Sequence, residues 1–280
     1  MKKVIFIFVM FLFGFVNAFS QNAEEIYDKG GDAMIIKDWK TAAKFYEEYI
    51  RLMPGNAKGY VSLGAAMLEL KQTETAFKLF DKAIEVDPLY AKGFSSRGAV
   101  NLMLGNKIKA EEDLLTSLKL DSTDATAWST LAVLYIIGDD EAKGLDCYSN
   151  ALRVNPNAVE VYWNRGAFYL ARDKYDLALQ DVEKAMELLP NAAKNYYFRG
   201  TIYKYQNKFE DALIDFNKAV ELDPNDAECF LRRGILLSAM GDYSKALEDF
   251  EKSYKMNPAL KEQTIEYYKE TLEKWEKNKK

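Results

Sequence analysis

Arginine and aspartate recur together in this sequence at a fixed separation of sixteen residues. The pairs are Arg97 with Asp113, Arg165 with Asp181, Arg199 with Asp215, and Arg233 with Asp249. A guanidinium group binds a carboxylate through two parallel hydrogen bonds, so these side chains have two possible uses. The arginines could capture a carboxylate of a ligand, or each could form an ion pair with its own aspartate inside the protein.

The places where both charges are missing favour the second use. In two other stretches the charges are replaced together, by Leu63 with Leu79 and by Leu131 with Cys147. An arginine on a packed helix face needs a partner, because an unpaired buried charge is costly. This joint replacement favours a pair between an arginine and the aspartate sixteen residues after it. A pair with the next segment of this kind would instead set Asp113 against Leu131. Arginines held in this way have little left to offer a ligand.

The remaining reactive residue types are too few for catalysis. The sequence has no His, which excludes Ser–His–Asp and Cys–His catalysis and any zinc site that contains His. Its two cysteines, Cys147 and Cys229, cannot supply a four-thiolate site, and no glycine-rich phosphate loop occurs. Adjacent acids such as Glu111 and Glu112 do not face each other on a helix. We therefore predict a protein that is not an enzyme and that holds no metal or cofactor.

Charge and hydrophobic content are those of an acidic folded protein. The formal net charge is -5, and 49% of the residues are hydrophobic. A chain with this hydrophobic content can bury a sizeable core. Nucleic-acid binders need a basic surface that neutralises phosphates, so we expect no nucleic-acid partner.

The first twenty residues have the layout of a secretory signal peptide. Two lysines precede the uncharged apolar run 4–16, and small residues follow at Ala18 and Ser20. We predict a signal peptide at 1–20 that is cleaved after Ser20, or after Ala18 as the alternative. The other possibility is an uncleaved anchor, but the apolar run is shorter than the roughly 20 residues of a spanning helix. We therefore expect an exported protein, in the periplasm, at the cell envelope or outside the cell, with membrane contact only through this segment before cleavage.

The prolines reveal an internal repeat of 34 residues. They stand at positions 54, 88, 156, 190, 224 and 258, and the slot missing from this series holds Ser122. Counting back from the prolines gives seven repeats over 23–258, which start at residues 23, 57, 91, 125, 159, 193 and 227. Every repeat has Gly or Ala at its eighth and twentieth positions, a pattern that lets two amphipathic helices pack closely. Repeat 1 departs from the Arg–Asp pattern, with Lys29 and Phe45 at the two positions.

This period and these positions resemble the tetratricopeptide repeat family. The fourth repeat keeps the family motif best, with Trp128, Leu131, Ala132 and Tyr135. The resemblance implies an all-α fold, a right-handed superhelical α-solenoid of seven helical hairpins. It also implies a concave groove, lined by the first helix of each repeat, in which a peptide or a helix of a partner protein binds.

The residues after the last proline, 259–280, are predicted to form a capping helix and a basic tail. Four apolar residues spaced three and four apart make one stripe, namely Ile265, Tyr268, Leu272 and Trp275. Such a helix would shield the last repeat from water, because an end repeat has no neighbour to cover its apolar face.

In the second half of the chain, the groove positions implied by the resemblance are rich in aromatic and apolar residues. The predicted peptide-binding residues are Trp163, Ala167, Leu170, Lys194, Tyr197, Thr201, Lys204, Tyr205 and Leu231. Trp and Tyr are frequent binding anchors, although such residues can also pack between adjacent repeats. Some family members hold a terminal carboxylate with a clamp of Lys, Asn, Asn, Lys and Arg at fixed repeat positions. That clamp is absent here, because only Arg232 matches one of its five positions.

From these observations we predict an exported scaffold without enzymatic activity that binds a protein or peptide partner in its groove. The alternative is a structural scaffold of the cell envelope that assembles from copies of itself. A monomer in solution would favour the first prediction, and oligomers that grow with concentration would favour the second.

Overall fold

The computed structural model of the chain describes residues 21–278. The predicted signal peptide lies outside the described residues, as do the last two residues of the basic tail. Within 21–278 the chain forms fifteen α-helices and no β-strand, so the predicted all-α fold is confirmed. None of the described helices combines the length and the apolar character that crossing a membrane requires.

The helices belong to two compact units, one that ends at Asn155 and one that begins at Pro156. The first unit contains α1 (21–35), α2 (Trp39–Leu52), α3 (Ala57–Glu69), α4 (Thr73–Val86), α5 (Ala91–Met103), α6 (Lys107–Leu120), α7 (Ala125–Ile137) and α8 (Glu141–Val154). The second contains α9 (Val159–Leu170), α10 (Tyr175–Leu188), α11 (Ala193–Tyr205), α12 (Phe209–Leu222), α13 (Ala227–Met240), α14 (Tyr243–Met256) and α15 (Pro258–Asn278). Consecutive helices from α1 to α14 pair as hairpins. From α3 onward, the first helix of each hairpin begins at the predicted start of a repeat.

Aspartate side chains begin many of these helices. Asp124 and Asp226 accept hydrogen bonds from backbone N–H groups at the start of α7 and α13. Asp38, Asp140 and Asp242 do the same at α2, α8 and α14. A carboxylate at this position satisfies donors that have no partner within the helix, and it interacts favourably with the helix dipole. These turn acids therefore have a structural role.

The second helix of a repeat ends in the same backbone conformation with or without proline. Asp87, which precedes Pro88, has φ -139° and ψ 94°, and Asp121, which precedes Ser122, has φ -140° and ψ 96°. The carboxylate of Asp121 accepts hydrogen bonds from the backbone N–H of Thr123 at 2.9 Å and from its hydroxyl at 2.6 Å. The aspartate side chain therefore fixes this turn in the repeat that lacks a proline.

Small residues let the two helices of one repeat approach closely, as the repeat pattern predicts. A Cβ atom added to Gly98 would lie 3.2 Å from the carbonyl oxygen of Ala110, and one added to Gly234 would lie 3.1 Å from that of Ala246. Large side chains fill the space beside these contacts, among them the fully buried ring of Phe250. A larger residue at these glycine positions would push the helices apart.

Helix α15 covers the end of the second unit, and it begins one residue before the predicted boundary. Pro258 is its first residue, a position where the missing N–H of proline costs nothing. Tyr268 packs on the core around Phe250, and the four residues of the predicted apolar stripe are all half-buried. The most buried residue of the helix is Thr271, whose hydroxyl lies 2.7 Å from that of Ser238. The cap therefore uses a polar contact that its apolar stripe does not reveal.

Candidate functional site

Each of the four arginines contacts the aspartate sixteen residues later, within its own repeat. Its Nε and Nη2 atoms donate hydrogen bonds to the two oxygens of the carboxylate. The shorter bond measures 2.6 Å in Arg97–Asp113 and Arg165–Asp181, 2.8 Å in Arg199–Asp215 and 2.7 Å in Arg233–Asp249. The four aspartates are only 2% to 6% exposed. These arginines therefore join the two helices of a hairpin and are not arranged to capture a carboxylate of a ligand.

Two of these arginines also reach a partner in the preceding repeat, which the sequence analysis did not predict. Nη1 of Arg97 donates to the carboxylate of Asp81 at 2.7 Å, and Nη1 of Arg233 donates to the side-chain oxygen of Asn217 at 3.0 Å. Hydrogen bonds from Arg97 to Asp113, with a further contribution from Asp81, raise the pKa of Arg97 above its ordinary value. A polar residue stands sixteen positions before each of the four arginines, so this spacing alone does not distinguish the two that make the contact. The ion pairs therefore link adjacent repeats as well as adjacent helices.

The two cysteines lie in environments that suppress reactivity. Both are buried, and neither forms a disulfide in the structure. Burial raises the pKa of Cys147 to about 11 and raises that of Cys229 further. The thiolate is the nucleophilic form of cysteine, so neither side chain is suited to catalysis. Across residues 21–278, no group of acidic and cysteine side chains is arranged to hold a metal ion.

A surface made by the first helices of repeats 5 and 6 contains most of the predicted groove residues. We call it the α9–α11 face, and its members are Trp163, Ala167, Leu170, Lys194, Tyr197, Thr201, Lys204 and Tyr205. Of these, Ala167 and Leu170 are half-buried on α9, whereas Tyr205 at the end of α11 is 56% exposed. All of them belong to the second unit.

Trp163 is held in one orientation by its neighbours on α11. Its indole Nε1 donates a 2.7 Å hydrogen bond to the side-chain oxygen of Asn195. Asn195 is fully buried and donates in turn to the carbonyl oxygen of Leu189 at 2.6 Å. The ammonium of Lys194 lies 4.2 Å from the centre of the indole ring, within the range of a cation–π contact. The indole is thus fixed while it remains only half-buried.

Tyr197 packs between repeats and reaches the surface as well. Its ring centre lies 5.9 Å from that of Phe198 and 6.2 Å from that of Phe216 on the second helix of the same hairpin, and the ring packs against a core cluster that also contains Leu236 of the next repeat. Burial raises the pKa of the Tyr197 phenol, and the nearby charge of Arg232 opposes this effect. Thr201 turns its hydroxyl to the carbonyl oxygen of Tyr197 at 2.7 Å. The centre of the face is therefore a half-buried aromatic ring on a rigid helix.

Lys194 and Lys204 are the positive groups of the α9–α11 face. Neither ammonium has a hydrogen-bond or ion-pair partner among the residues that the structure describes. Burial lowers the pKa of both lysines, and the charge of Arg232 lowers that of Lys204 further. Arg232 itself is paired with Glu228 at 2.6 Å. Within residues 21–278, the charges of Lys194 and Lys204 are therefore not neutralised by an ion pair.

Leu231 has to be removed from the predicted groove residues. Only 2% of its surface is exposed, and it packs in a core cluster with Leu237 and Phe250. Leu260 and Tyr268 of α15 pack against the same cluster. In this last repeat, the capping helix contributes to a core that encloses the leucine, so the side chain cannot contact a ligand.

Paired helices at a period of 34 residues, with small residues at their contacts and Arg–Asp pairs between them, define an all-α helical-repeat protein. Three family models described as tetratricopeptide repeat match the sequence, at residues 140–193, 193–226 and 216–248. The chain thus contains tetratricopeptide repeats, which the three models place within residues 140–248. No curated protein shows a significant match to the sequence.

Solved structures share the fold at low sequence identity. A tetratricopeptide repeat protein from Parabacteroides merdae has a TM-score of 0.62 and 22% identity, with 90% of this chain and 99% of that chain covered. The thermophilic protein TTC0263 of Thermus thermophilus has a TM-score of 0.59 and 20% identity, with 65% and 98% covered. A chain of the Cut9–Hcn1 hetero-tetramer of the APC/C has a TM-score of 0.70 and 13% identity. The match covers 90% of this chain and 47% of the Cut9–Hcn1 chain, so this chain spans about half the length of that one.

Proposed function

We propose that the protein is an interaction module without enzymatic activity, and that its α9–α11 face binds an extended peptide or a helix of a partner protein. The observation that carries this proposal is the fixed, half-buried indole of Trp163, which contacts the ammonium of Lys194 on a surface that also includes Lys204. The presence of tetratricopeptide repeats supports a protein-binding scaffold in general.

The geometry of the face suits the capture of a side chain or a short segment. Aromatic residues bury a large area with few rotatable bonds, and they dominate binding energy at many interfaces. Because Asn195 already restrains Trp163, little further ordering of the indole is required on binding. The stems of Lys194 and Lys204 add apolar surface beneath their charges. The face therefore offers apolar area and positive charge together.

We propose further that the mature protein works outside the cytoplasm, in the periplasm, at the cell envelope or outside the cell. The support is the signal-peptide pattern of residues 1–20. Mass spectrometry of the protein isolated from its own host should find Gln21, or Phe19, as the first residue. A chain that still begins at Met1 would overturn this part of the proposal.

Affinity capture from envelope and secreted fractions tests the binding face. The purified wild-type protein is compared with a Trp163→Ala/Tyr197→Ala variant and with a Tyr267→Ala control, whose ring lies 52% exposed on α15. We expect the wild type and the control to retain the same partner proteins and the double variant to lose them. Circular dichroism establishes that all three are folded. Equal capture by all three would place the binding surface elsewhere.

A structural scaffold built from copies of the chain is the second candidate, and an exposed apolar patch in the first unit favours it. Met103 and Ile108 flank the turn between α5 and α6 and are 68% and 76% exposed, and Ile137 at the end of α7 is 51% exposed. The ammonium of Lys107 donates to the carbonyl oxygen of Ile137 at 3.0 Å, so the two turns lie together. Clustered apolar side chains as exposed as these are typical of surfaces that meet another protein.

Light scattering at increasing protein concentration tests this second candidate. Assembly through the patch predicts a mass that grows with concentration and returns to that of the monomer in a Met103→Ser/Ile108→Ser variant. Leu89→Ser is the matched control, because Leu89 is 76% exposed in the loop between α4 and α5, away from the patch. A wild-type protein that stays monomeric throughout excludes the self-assembling scaffold.

A further inference from the structure

Lys194 and Lys204 differ from many of the other lysines of the second unit. Lys184, Lys218 and Lys245 each pair with a carboxylate of their own helix or its N-cap, at 2.6 to 2.8 Å. By contrast, the ammonium of Lys194 lies between aromatic rings, 4.2 Å from the centre of Trp163 and 5.8 Å from that of Phe198. That of Lys204 lies 5.9 Å from the ring of Tyr205.

The charges around these two lysines leave the α9–α11 face positive. Glu160 is the carboxylate that acts on Lys194, and Glu228 is already engaged by Arg232. The face thus has two lysines and one arginine but only two carboxylates, although the net charge of the whole chain is -5. Lys204 is half-buried and the ammonium of Lys194 stands over an indole ring, so each cation gains from a counter-ion, because pairing offsets the loss of hydration. An anionic group of a ligand would provide that counter-ion.

The helix fixes how far apart the two positive groups stand. Lys194 is the second residue of α11 and Lys204 is its twelfth. At the rise of an α-helix their Cα atoms are about 15 Å apart, and the helical turn places them within an arc of about 80° on one side. Tyr197 and Thr201 lie between them on the same side. A peptide that reaches both lysines therefore crosses the half-buried ring of Tyr197.

We propose that the α9–α11 face recognises an extended peptide segment with two carboxylate side chains, one seated at Lys194 and the other at Lys204, with apolar side chains between them. This inference rests on the proposed function of the face. An extended chain advances about 3.3 Å per residue, so a span of about 15 Å separates the two acidic residues by about four or five positions. Trp163 and Tyr197 contact the apolar residues between the carboxylates. The recognised feature is a spacing of internal acids and not a chain terminus.

Synthetic peptides of identical composition test the spacing. Each is acetylated and amidated, so that no terminal carboxylate is present, and each has two glutamates among Leu, Phe, Ser and Gly. The glutamates stand close together, at the predicted interval, or far apart. Fluorescence anisotropy should show the tightest binding at the predicted interval. Replacement of both glutamates by glutamine should weaken that binding by about tenfold or more, as expected when charge pairs at an interface are broken.

Variants of the protein separate this inference from the proposed function. Lys194→Met/Lys204→Met should bind the glutamate and glutamine peptides equally, and Lys252→Met should behave as wild type. Lys252 is a matched control, because its ammonium lies 3.9 Å from the ring of Phe230 but on the second helix of its hairpin. The glutamate and glutamine peptides could bind the wild-type protein equally well and bind the Trp163→Ala variant weakly. That result would overturn the inference about two spaced carboxylates and leave the proposed function standing. Absence of binding by every peptide would overturn both.

Discussion

Arg165 and Asp181 hold the two helices of one repeat together through two parallel hydrogen bonds of 2.6 and 2.9 Å. Asp181 is 4% exposed, so the loss of Arg165 would leave a carboxylate buried without its counter-ion. We therefore expect Arg165→Leu or Asp181→Leu alone to lower the free energy of unfolding by about 3 kcal/mol. Urea denaturation followed by circular dichroism measures this change.

The double variant Arg165→Leu/Asp181→Leu should be more stable than either single variant. Repeat 2 shows that the fold accepts two leucines at these positions, because Leu63 and Leu79 occupy them there. Two apolar side chains of this size restore packing without an unpaired charge. A double variant that melts no higher than the single variants would show that the pair does not act as a unit.

Neighbouring glycines of α1 should respond to alanine with opposite signs. A Cβ atom at Gly30 would lie 2.6 Å from the ring of Tyr46, whereas one at Gly31 would meet nothing within 4 Å. We expect Gly30→Ala to destabilise the protein by about 1 to 3 kcal/mol through overpacking. Gly31→Ala should stabilise it by up to about 1 kcal/mol, because alanine is the better helix former. Thermal melts measure the melting temperature of each variant against that of the wild type. Melting temperatures that shift in the same direction in both variants would contradict the packing argument.

The thiol of Cys147 should resist alkylation in the folded protein. Its pKa is raised to about 11 by burial, so at pH 8 only about one thiol in a thousand is the reactive thiolate. Iodoacetamide should therefore modify the folded protein far more slowly than protein unfolded in guanidinium, where the pKa returns to its ordinary value. The fraction of thiolate rises as the pH approaches 11, so the rate in the folded protein should increase with pH. Equal rates for folded and unfolded protein at pH 8 would contradict the burial of this thiol.

Removal of helix α15 should destabilise the second unit. A chain that ends at Asn257 lacks Tyr268, which packs on Phe250 and Tyr254 at ring-centre distances of 6.2 Å. Those apolar surfaces would meet water, since the end of a repeat array depends on its cap. We expect a lower melting temperature and aggregation on heating. Removal of residues 277–280 alone is the control and should change neither, because the described side chains of that segment are exposed.

Much of the architecture could be predicted from the sequence, because each repeat is a local structure. The first helix from repeat 2 onward begins where the proline period predicts, and the Arg–Asp partners follow from the joint appearance of both charges. Periodicity and matched replacement report contacts that recur within one hairpin. The sequence also named Trp163 and Lys194, because the resemblance to the tetratricopeptide repeat family assigns their positions on the first helix to the groove.

The packing of one hairpin on the next was decided only by the tertiary structure. The second partner of Arg97 at Asp81, the support of Trp163 by Asn195 and the enclosure of Leu231 beneath α15 all join different repeats or a repeat and its cap. Their geometry depends on how side chains of unequal size fit between stacked helices. A 34-residue period reports only the features that all repeats share, so it does not reveal these contacts. The sequence by itself therefore determined the hairpin, its period and its internal ion pairs. Stacking decided which of its surface residues remain available to a partner, because burial depends on the neighbouring repeat and not on the repeat alone.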